Sequence, residues 1–127
     1  MTSEVRVLLV DDSETIRKQF QMEFRKIPGF TLETAARGAE ALRLLEEAVE
    51  TNPFKIVICD WNMPEMEGIE VLDRVRAHHH PHIKKMAFIM LTSKDEKVVV
   101  AMDHGANNFI RKPLDLPLIR KKLEWVQ

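Results

Sequence analysis

The chain has 127 residues, of which 45% are hydrophobic and 31% are charged, and its formal net charge is -1. The near-neutral charge gives no indication of nucleic-acid binding, one cysteine (Cys59) excludes an internal disulfide framework, and no apolar stretch approaches the roughly 18 residues of a membrane span. We therefore expect one monomeric, cytoplasmic domain over residues 1–127, with no output domain and with no nucleic-acid or membrane partner.

Strand-like and helix-like segments alternate five times along the chain. Runs near 5–10, 55–60 and 86–91 are almost wholly apolar, as expected of parallel strands covered on both faces. The segment from Phe30 to Ala36 alternates polar and apolar residues and predicts an edge strand. A shorter apolar run ending at Phe109 and Ile110 predicts the fifth strand.

Amphipathic helices are predicted between these strands. Apolar residues recur at spacings of three and four, in the sets Ile16, Phe20, Phe24, Ile27; Leu42, Leu45, Val49; Ile69, Leu72, Val75; and Leu116, Ile119, Leu123, Val126. A further helix near 94–104 is predicted from topology, because a parallel strand pair needs a crossover even though the run 98–100 is β-branched. The expected fold is a three-layer (βα)5 doubly wound sandwich, flavodoxin-like, with a five-stranded parallel sheet in order 2-1-3-4-5.

Polar side chains follow four of the predicted strands at the point where each strand ends. Asp11 and Asp12 follow the first strand, Asp60 the third, Thr92 the fourth and Lys112 the fifth. Carboxyl ends of parallel strands share one edge of the sheet, and strands 1 and 3 are neighbours at the topological switch point. The three carboxylates are therefore predicted to lie within reach of one metal ion.

Such a cluster has an expected chemistry. Three close carboxylates repel one another unless a cation is bound, and hard oxygen ligands suit Mg²⁺ or Mn²⁺. A carboxylate can also attack phosphorus to give an aspartyl-phosphate. A hydroxyl and an ammonium, here Thr92 and Lys112, would then share the charge of the phosphoryl oxygens with the metal.

Four blocks of residues resemble the signature blocks of response-regulator receiver domains from two-component signalling. They are Val10-Asp11-Asp12-Ser13, Asp60-Trp61-Asn62-Met63-Pro64-Glu65-Met66-Glu67-Gly68, Leu91-Thr92-Ser93 and Arg111-Lys112-Pro113, in the family's order and at similar spacing. The resemblance covers essentially the whole chain. The block that begins at Asp60 is most similar to chemotaxis-type single-domain regulators.

The resemblance implies a role for each residue of the site. Asp60 would be the phosphoacceptor, and Mg²⁺ would be held by Asp12, the Asp60 side chain and the Asn62 backbone carbonyl. Asp11 would act largely through a bound water. Thr92 would hydrogen-bond the phosphoryl group, and Lys112 would form an ion pair with it. The peptide bond between Lys112 and Pro113 would be cis. Phe109 would be the aromatic switch residue, acting together with Thr92.

The same resemblance implies a signalling switch rather than an enzyme. A histidine kinase or phosphotransfer protein would phosphorylate Asp60, and a downstream protein would bind the face formed by the fourth predicted helix, the fifth strand and the fifth predicted helix. Basic residues there favour an acidic partner; they are Lys97, His104, Arg111, Arg120, Lys121 and Lys122. A phosphorelay intermediate and an isolated receiver of a larger regulator are alternatives. A metal-dependent phosphohydrolase is a further one, although Asn62 stands where the haloacid-dehalogenase type needs a second Asp.

Two local features, a histidine-rich segment and Lys94, need a separate interpretation. His78, His79, His80 and His82 follow the third helix, and without a Cys or carboxylate in the segment they predict a solvated loop rather than a metal site. Lys94 stands two residues after Thr92, where chemotaxis regulators tend to carry an acid. We expect Lys94 to shield the phosphoryl group from water and to slow its loss.

Overall fold

The computed structural model describes residues 4–125, and five parallel strands form its single sheet. The strands are β1 (Val5–Val10), β2 (Phe30–Ala35), β3 (Ile56–Asp60), β4 (Ala87–Thr92) and β5 (Asn108–Arg111). Their order is β2-β1-β3-β4-β5, so β2 is an edge strand and β1 lies beside β3. The predicted fold class, strand order and edge strand are confirmed.

Within the described residues, six helices connect or follow the strands. They are α1 (Glu14–Phe24), α2 (Gly38–Ala48), α3 (Gly68–Arg76), α4 (Pro81–Lys84), α5 (Asp95–Asp103) and α6 (Leu116–Trp125). The predicted fourth and fifth helices are thus α5 and α6, and Val126 of the predicted apolar stripe lies outside the described residues. Over residues 4–125, no helix is long and apolar enough to cross a membrane.

The four-residue helix α4 was not predicted, and the expectation of a loop over the histidine segment is wrong in part. Pro81 occupies the first helical turn, and the His80 ring accepts a hydrogen bond from the backbone N–H of His82. His78 and His80 also lie beside carboxylates at the end of α2 and just after it, with Nε2 to oxygen distances of 3.5 and 3.0 Å to Glu46 and Glu50. This segment is therefore bound to α2 through its side chains.

Alternating strand residues bury two apolar layers, one on each face of the sheet. One layer joins β-strand residues to Phe20 and Phe24 of α1 and to Ile119 and Leu123 of α6. The other joins the opposite strand residues to α2, α3 and α5, including Ala101 on the buried side of α5. Because both faces are covered, the polar ends of the strands are left at the carboxyl edge of the sheet.

Candidate functional site

Four strand ends bring the predicted residues to one edge of the sheet. Val10 is aligned with Cys59 in the β1–β3 pair, so the next residues along the two strands, Asp11 and Asp60, are neighbours. Thr92 is the last residue of β4 and is aligned with Arg111, the last residue of β5. The peptide bond between Lys112 and Pro113 is cis, as the family resemblance implies.

Three carboxylates form the centre of this edge. One oxygen from each of Asp11, Asp12 and Asp60 lies within 4.8 Å of the others. Asp11 and Asp60 are buried, at 0% and 4% exposed, whereas Asp12 is open to solvent. In the described part of the chain, this is the one group of three His, Cys, Asp or Glu side chains close enough to share a metal ion, and the histidine segment forms no second one.

Asp11 carries an unsatisfied carboxylate oxygen. Its Oδ1 accepts a hydrogen bond from the backbone N–H of Ser13 at 2.8 Å, but its buried Oδ2 has no hydrogen-bond partner among the described residues. Burial, opposed by the Ser13 N–H and reinforced by the charge of Asp60, raises the pKa of Asp11 to about 6. A buried acceptor without a donor is costly, and a cation would satisfy it.

Asp60 is held by donors on two sides. Lys112 Nζ lies 3.1 Å from Asp60 Oδ1 and 4.0 Å from Asp11 Oδ2, and the backbone N–H of Asn62 faces the Asp60 carboxylate. Burial raises the pKa of Asp60, while the Lys112 ammonium and the Asn62 N–H oppose that rise. The geometry leaves Asp60 an oriented carboxylate beside a cation, which suits a nucleophile toward an anionic group.

These observations fit a hard divalent cation. The acidic oxygens of Asp11, Asp12 and Asp60 converge, one buried oxygen lacks a donor, and the exposed position of Asp12 leaves room for water ligands. Mg²⁺ prefers oxygen ligands and keeps several waters when few carboxylates hold it. The acidic cluster could therefore bind such a metal, as the spacing of the strand ends predicts.

Thr92 connects this edge to α5. The side chain is 3% exposed, and its Oγ1 accepts a hydrogen bond at 3.2 Å from the backbone N–H of Lys94, the residue that begins α5. The backbone N–H of Lys112 donates to the Thr92 carbonyl at 3.0 Å. A change in the direction of the Thr92 hydroxyl would therefore alter the start of α5.

Phe109 lies on β5 and is half-buried. The ammonium of Lys122, from α6, lies 4.0 Å from the centre of the Phe109 ring and also donates to the Phe109 carbonyl. The predicted switch residue is thus in contact with α6 and not with the carboxylates. Its position beside β4 would allow an effect of Thr92 to reach it through the sheet.

Gly68 fixes the loop that carries Asn62, and sequence reasoning did not single it out. Its N–H donates to the Trp61 carbonyl at 2.8 Å, and a Cβ at position 68 would overlap the Asp60 carbonyl oxygen. The start of α3 therefore packs directly on the backbone of the phosphoacceptor candidate. The signal available in the sequence was a glycine eight residues after Asp60 with no turn to explain it.

Two cations near the site were also missed or misplaced. Arg17 of α1 donates to the Asp11 carbonyl at 2.8 Å. Lys97 was predicted on the partner-binding face, but its Nζ lies 3.1 Å from Asn62 Oδ1 and 4.9 Å from the Trp61 ring centre. Long flexible side chains can reach in several directions, so helical spacing alone does not locate their charged ends.

Three further residues of the predicted basic face also lie beside carboxylates. His104 Nδ1 lies 2.7 Å from Asp73 of α3, and Arg111 pairs with Asp95. Arg120 lies 3.9 Å from Glu124 on its own helix. The positive charge on this side of the molecule is therefore partly compensated, which weakens the case for a strongly acidic partner.

Comparisons with known proteins agree with this arrangement. A family model described as the response regulator receiver domain matches residues 7–124. Chemotaxis protein CheY1 of Helicobacter pylori is 35% identical over 124 residues, covering 96% of this chain and 96% of that protein, and a Campylobacter jejuni chemotaxis protein CheY homolog is 36% identical, covering 96% and 92%. The crystallised chemotaxis response regulator CheY4 of Vibrio cholerae superposes with a TM-score of 0.84 at 32% identity, covering 98% of this chain and 100% of that one.

Proposed function

The chain belongs to the response regulator receiver domain family, and on this basis we propose that it is a signalling switch that accepts a phosphoryl group on Asp60. The observation that carries the proposal is the Asp60 carboxylate, 3.1 Å from Lys112 Nζ and grouped with two further carboxylates. Among these three acids, Asp60 is the one that Lys112 contacts most closely. We therefore assign it as the nucleophile.

In the proposed transfer, a carboxylate oxygen of Asp60 forms a bond to phosphorus as the bond between phosphorus and the donor atom breaks. With a histidine kinase or a phosphotransfer protein as donor, the leaving group is an imidazole nitrogen. Lys112 neutralises charge on the phosphoryl oxygens, and the short contact it already makes means that little rearrangement is needed. The water-exposed side of the cluster, at Asp12, is the route by which a donor would enter.

Mg²⁺ is the cofactor that we propose for this site. Asp12, the Asp60 side chain and the Asn62 backbone carbonyl would hold it, and the buried carboxylate of Asp11 would face it through water. When bound, the ion would supply positive charge to the phosphoryl oxygens and offset the repulsion among the three acids. Mn²⁺ has the same preference for oxygen ligands and would serve in its place.

Phosphorylation would be reported through Thr92. Its hydroxyl, now an acceptor for the Lys94 N–H, would turn to donate to a phosphoryl oxygen, and the start of α5 would lose that contact. Phe109 and the face formed by α5, β5 and α6 would then change their affinity for a downstream protein. We propose a chemotaxis-type role in the cytoplasm, with the receiver acting as a monomer.

Hydrolysis of phosphate esters is the less favoured alternative. A phosphohydrolase of the aspartyl-phosphate type needs an acid two residues after its nucleophile to protonate the leaving group. Asn62 stands at that position, and its side-chain oxygen is engaged by Lys97. An amide has no proton to give at neutral pH, so turnover of a substrate would be slow.

The test is labelling with acetyl phosphate, in which acetate is the leaving group. We expect Mg²⁺-dependent, alkali-labile incorporation of about one phosphoryl group per chain, because an acyl phosphate hydrolyses readily and Asp60 is the proposed acceptor. Asp60→Asn should abolish labelling, and Asp73→Asn, an exposed aspartate of α3, should leave it unchanged. Labelling of the Asp60→Asn protein at the unsubstituted level would reject the proposal.

A further inference from the structure

Lys97 lies on α5 but reaches the loop that follows β3. Its ammonium is 3.1 Å from Asn62 Oδ1 and 4.9 Å from the centre of the Trp61 ring. Trp61 is 7% exposed, so the ring offers a fixed surface, whereas the Asn62 side chain is exposed. The ammonium is therefore held by one cation–π contact and one solvent-accessible hydrogen bond, both of which are weak interactions.

Asn62 connects this ammonium to the acidic cluster, because it lies two residues after Asp60, in the loop that follows β3. The Asn62 backbone N–H faces the Asp60 carboxylate, and the Asn62 side-chain oxygen accepts from Lys97. A lysine side chain has several rotatable bonds and an ammonium that can exchange acceptors without loss of its charge. Lys97 can thus leave Asn62 and reach a group that extends outward from Asp60.

Phosphorylation would create such a group. A phosphoryl group carries about -1.5 to -2 charge at pH 7, more than the single charge of the carboxylate that it would replace. Lys112, the cation already beside Asp60, is shared with Asp11 at 4.0 Å. A second cation within reach would lower the energy of the added charge, since an ammonium binds an anionic phosphoryl oxygen more strongly than the neutral amide oxygen that Lys97 now contacts.

We propose that Lys97 is a second phosphoryl-binding cation of this site. Its ammonium contacts Asn62 and Trp61 before phosphorylation and binds a phosphoryl oxygen after it. The proposal rests on the function proposed for Asp60. It gives the site a connection to the first turn of α5 that is separate from the contact between Thr92 and Lys94. It also makes Trp61 a direct reporter of the transfer, because the ammonium leaves its ring.

The experiment measures binding of beryllofluoride, a phosphoryl mimic, with Mg²⁺ by calorimetry. We use a Trp125→Phe background so that Trp61 is the one tryptophan in the sequence. Lys97→Met keeps the apolar stem but removes the charge, so beryllofluoride affinity should fall about threefold to tenfold. Mg²⁺ affinity without beryllofluoride should stay equal or rise, because removal of a positive charge favours a cation. Lys97→Arg should restore beryllofluoride binding to within about twofold.

Lys84→Met is the control, since it removes the same charge from an exposed lysine of α4, which precedes β4 and lies away from the carboxyl edge of the sheet. Its side chain is exposed, and we expect less than about a twofold change in beryllofluoride affinity. The Trp61 emission change on beryllofluoride binding should persist in Lys84→Met and be reduced in Lys97→Met.

Three outcomes would overturn the role of Lys97. Unchanged beryllofluoride affinity in Lys97→Met would show that Lys97 does not contact the mimic. Equal weakening of Mg²⁺ and beryllofluoride binding would show that Lys97 only supports Asn62. An effect of Lys84→Met as large as that of Lys97→Met would show that the loss follows from net charge and not from a contact. Failure of the unsubstituted protein to bind beryllofluoride or to be labelled at Asp60 would instead reject the proposed function.

Discussion

Asp11 is the residue at which function and stability conflict. It is fully buried, one of its oxygens has no hydrogen-bond donor, and burial raises its pKa to about 6 from an ordinary value of 3.8. Between these two pH values the folded protein binds more protons than the unfolded chain. Stability of the metal-free protein therefore falls as pH rises from about 4 to 6, and the loss is complete above 6.

We predict that Asp11→Asn stabilises the metal-free protein at pH 7.5 by up to about 2–3 kcal/mol, the free-energy equivalent of the pKa difference. Asparagine keeps the oxygen that accepts from Ser13 and removes the buried charge. The gain should shrink at pH 4.5, where Asp11 is protonated in the folded state. Urea unfolding in EDTA at both pH values measures it.

The control is Asp103→Asn, an exposed carboxylate at the end of α5, which should change stability by less than about 0.5 kcal/mol. If Asp11→Asn is less stable than the unsubstituted protein at pH 7.5, the Asp11 carboxylate is not a destabilising charge.

Residues whose position depends on the backbone alone could be predicted from the sequence. Asp11, Asp60 and Thr92 end buried strands, so the parallel sheet determines where their side chains begin. Lys97 could not be placed in this way. Its ammonium lies several bonds from the helix backbone. It contacts Asn62 and Trp61, whereas Lys97 had been expected on the partner-binding face.

At the scale of elements, the junction of β3 and α3 determines how accurately Asp60 is held. We predict that Gly68→Ala destabilises the protein by about 1–3 kcal/mol and slows acetyl phosphate labelling at least about tenfold. The added methyl would overlap the Asp60 carbonyl oxygen and lie 3.0 Å from the Trp61 Cα, so the backbone that carries the acceptor must move. Chemical denaturation and the initial labelling rate of the folded variant are the measurements.

Gly29→Ala is the control that separates a loss of stability from a displacement of Asp60. Gly29 has a φ of 87°, but a Cβ there meets no atom within 4 Å and the residue precedes β2 at the opposite edge of the sheet. Backbone strain should cost about 1 kcal/mol without an effect on labelling. Equal labelling rates for Gly68→Ala and Gly29→Ala would show that the junction does not position Asp60.

The sequence predicted the helices that the topology of the sheet requires. It did not predict α4, which that topology does not require. The β-branched run within α5 disfavours a helix locally, yet the crossover between β4 and β5 needs one, and Asp95–Asp103 is helical. The helix α4 spans only Pro81–Lys84 and buries Ile83 alone. Four residues are too few for a periodic pattern, so only Pro81 after a capping residue indicated it.

At the scale of the whole molecule, the sheet order follows from which strands can be covered. The strands β1, β3 and β4 are apolar on both faces and are buried between two helical layers, whereas β2 has half-exposed positions and lies at an edge. Right-handed crossovers then leave few arrangements. This order places Asp11 beside Asp60, and so the fold that hides the apolar strands also creates the acidic cluster.

Binding of Mg²⁺ to that cluster should therefore stabilise the entire fold. For a site of roughly millimolar affinity, 10 mM Mg²⁺ should add about 1.4 kcal/mol to the free energy of unfolding at pH 7.5. At pH 5 a proton on Asp11, whose pKa is about 6, should weaken Mg²⁺ binding about tenfold and reduce the gain to about 0.4 kcal/mol.

Thermal and urea unfolding at both pH values measure these gains, with NaCl at equal ionic strength as the control for screening. Asp12→Asn should remove most of the gain at pH 7.5, because its exposed carboxylate is a proposed metal ligand whose loss leaves the core intact. Equal gains at pH 5 and 7.5, or an undiminished gain in Asp12→Asn, would mean that Mg²⁺ stabilises the protein from somewhere other than the acidic cluster.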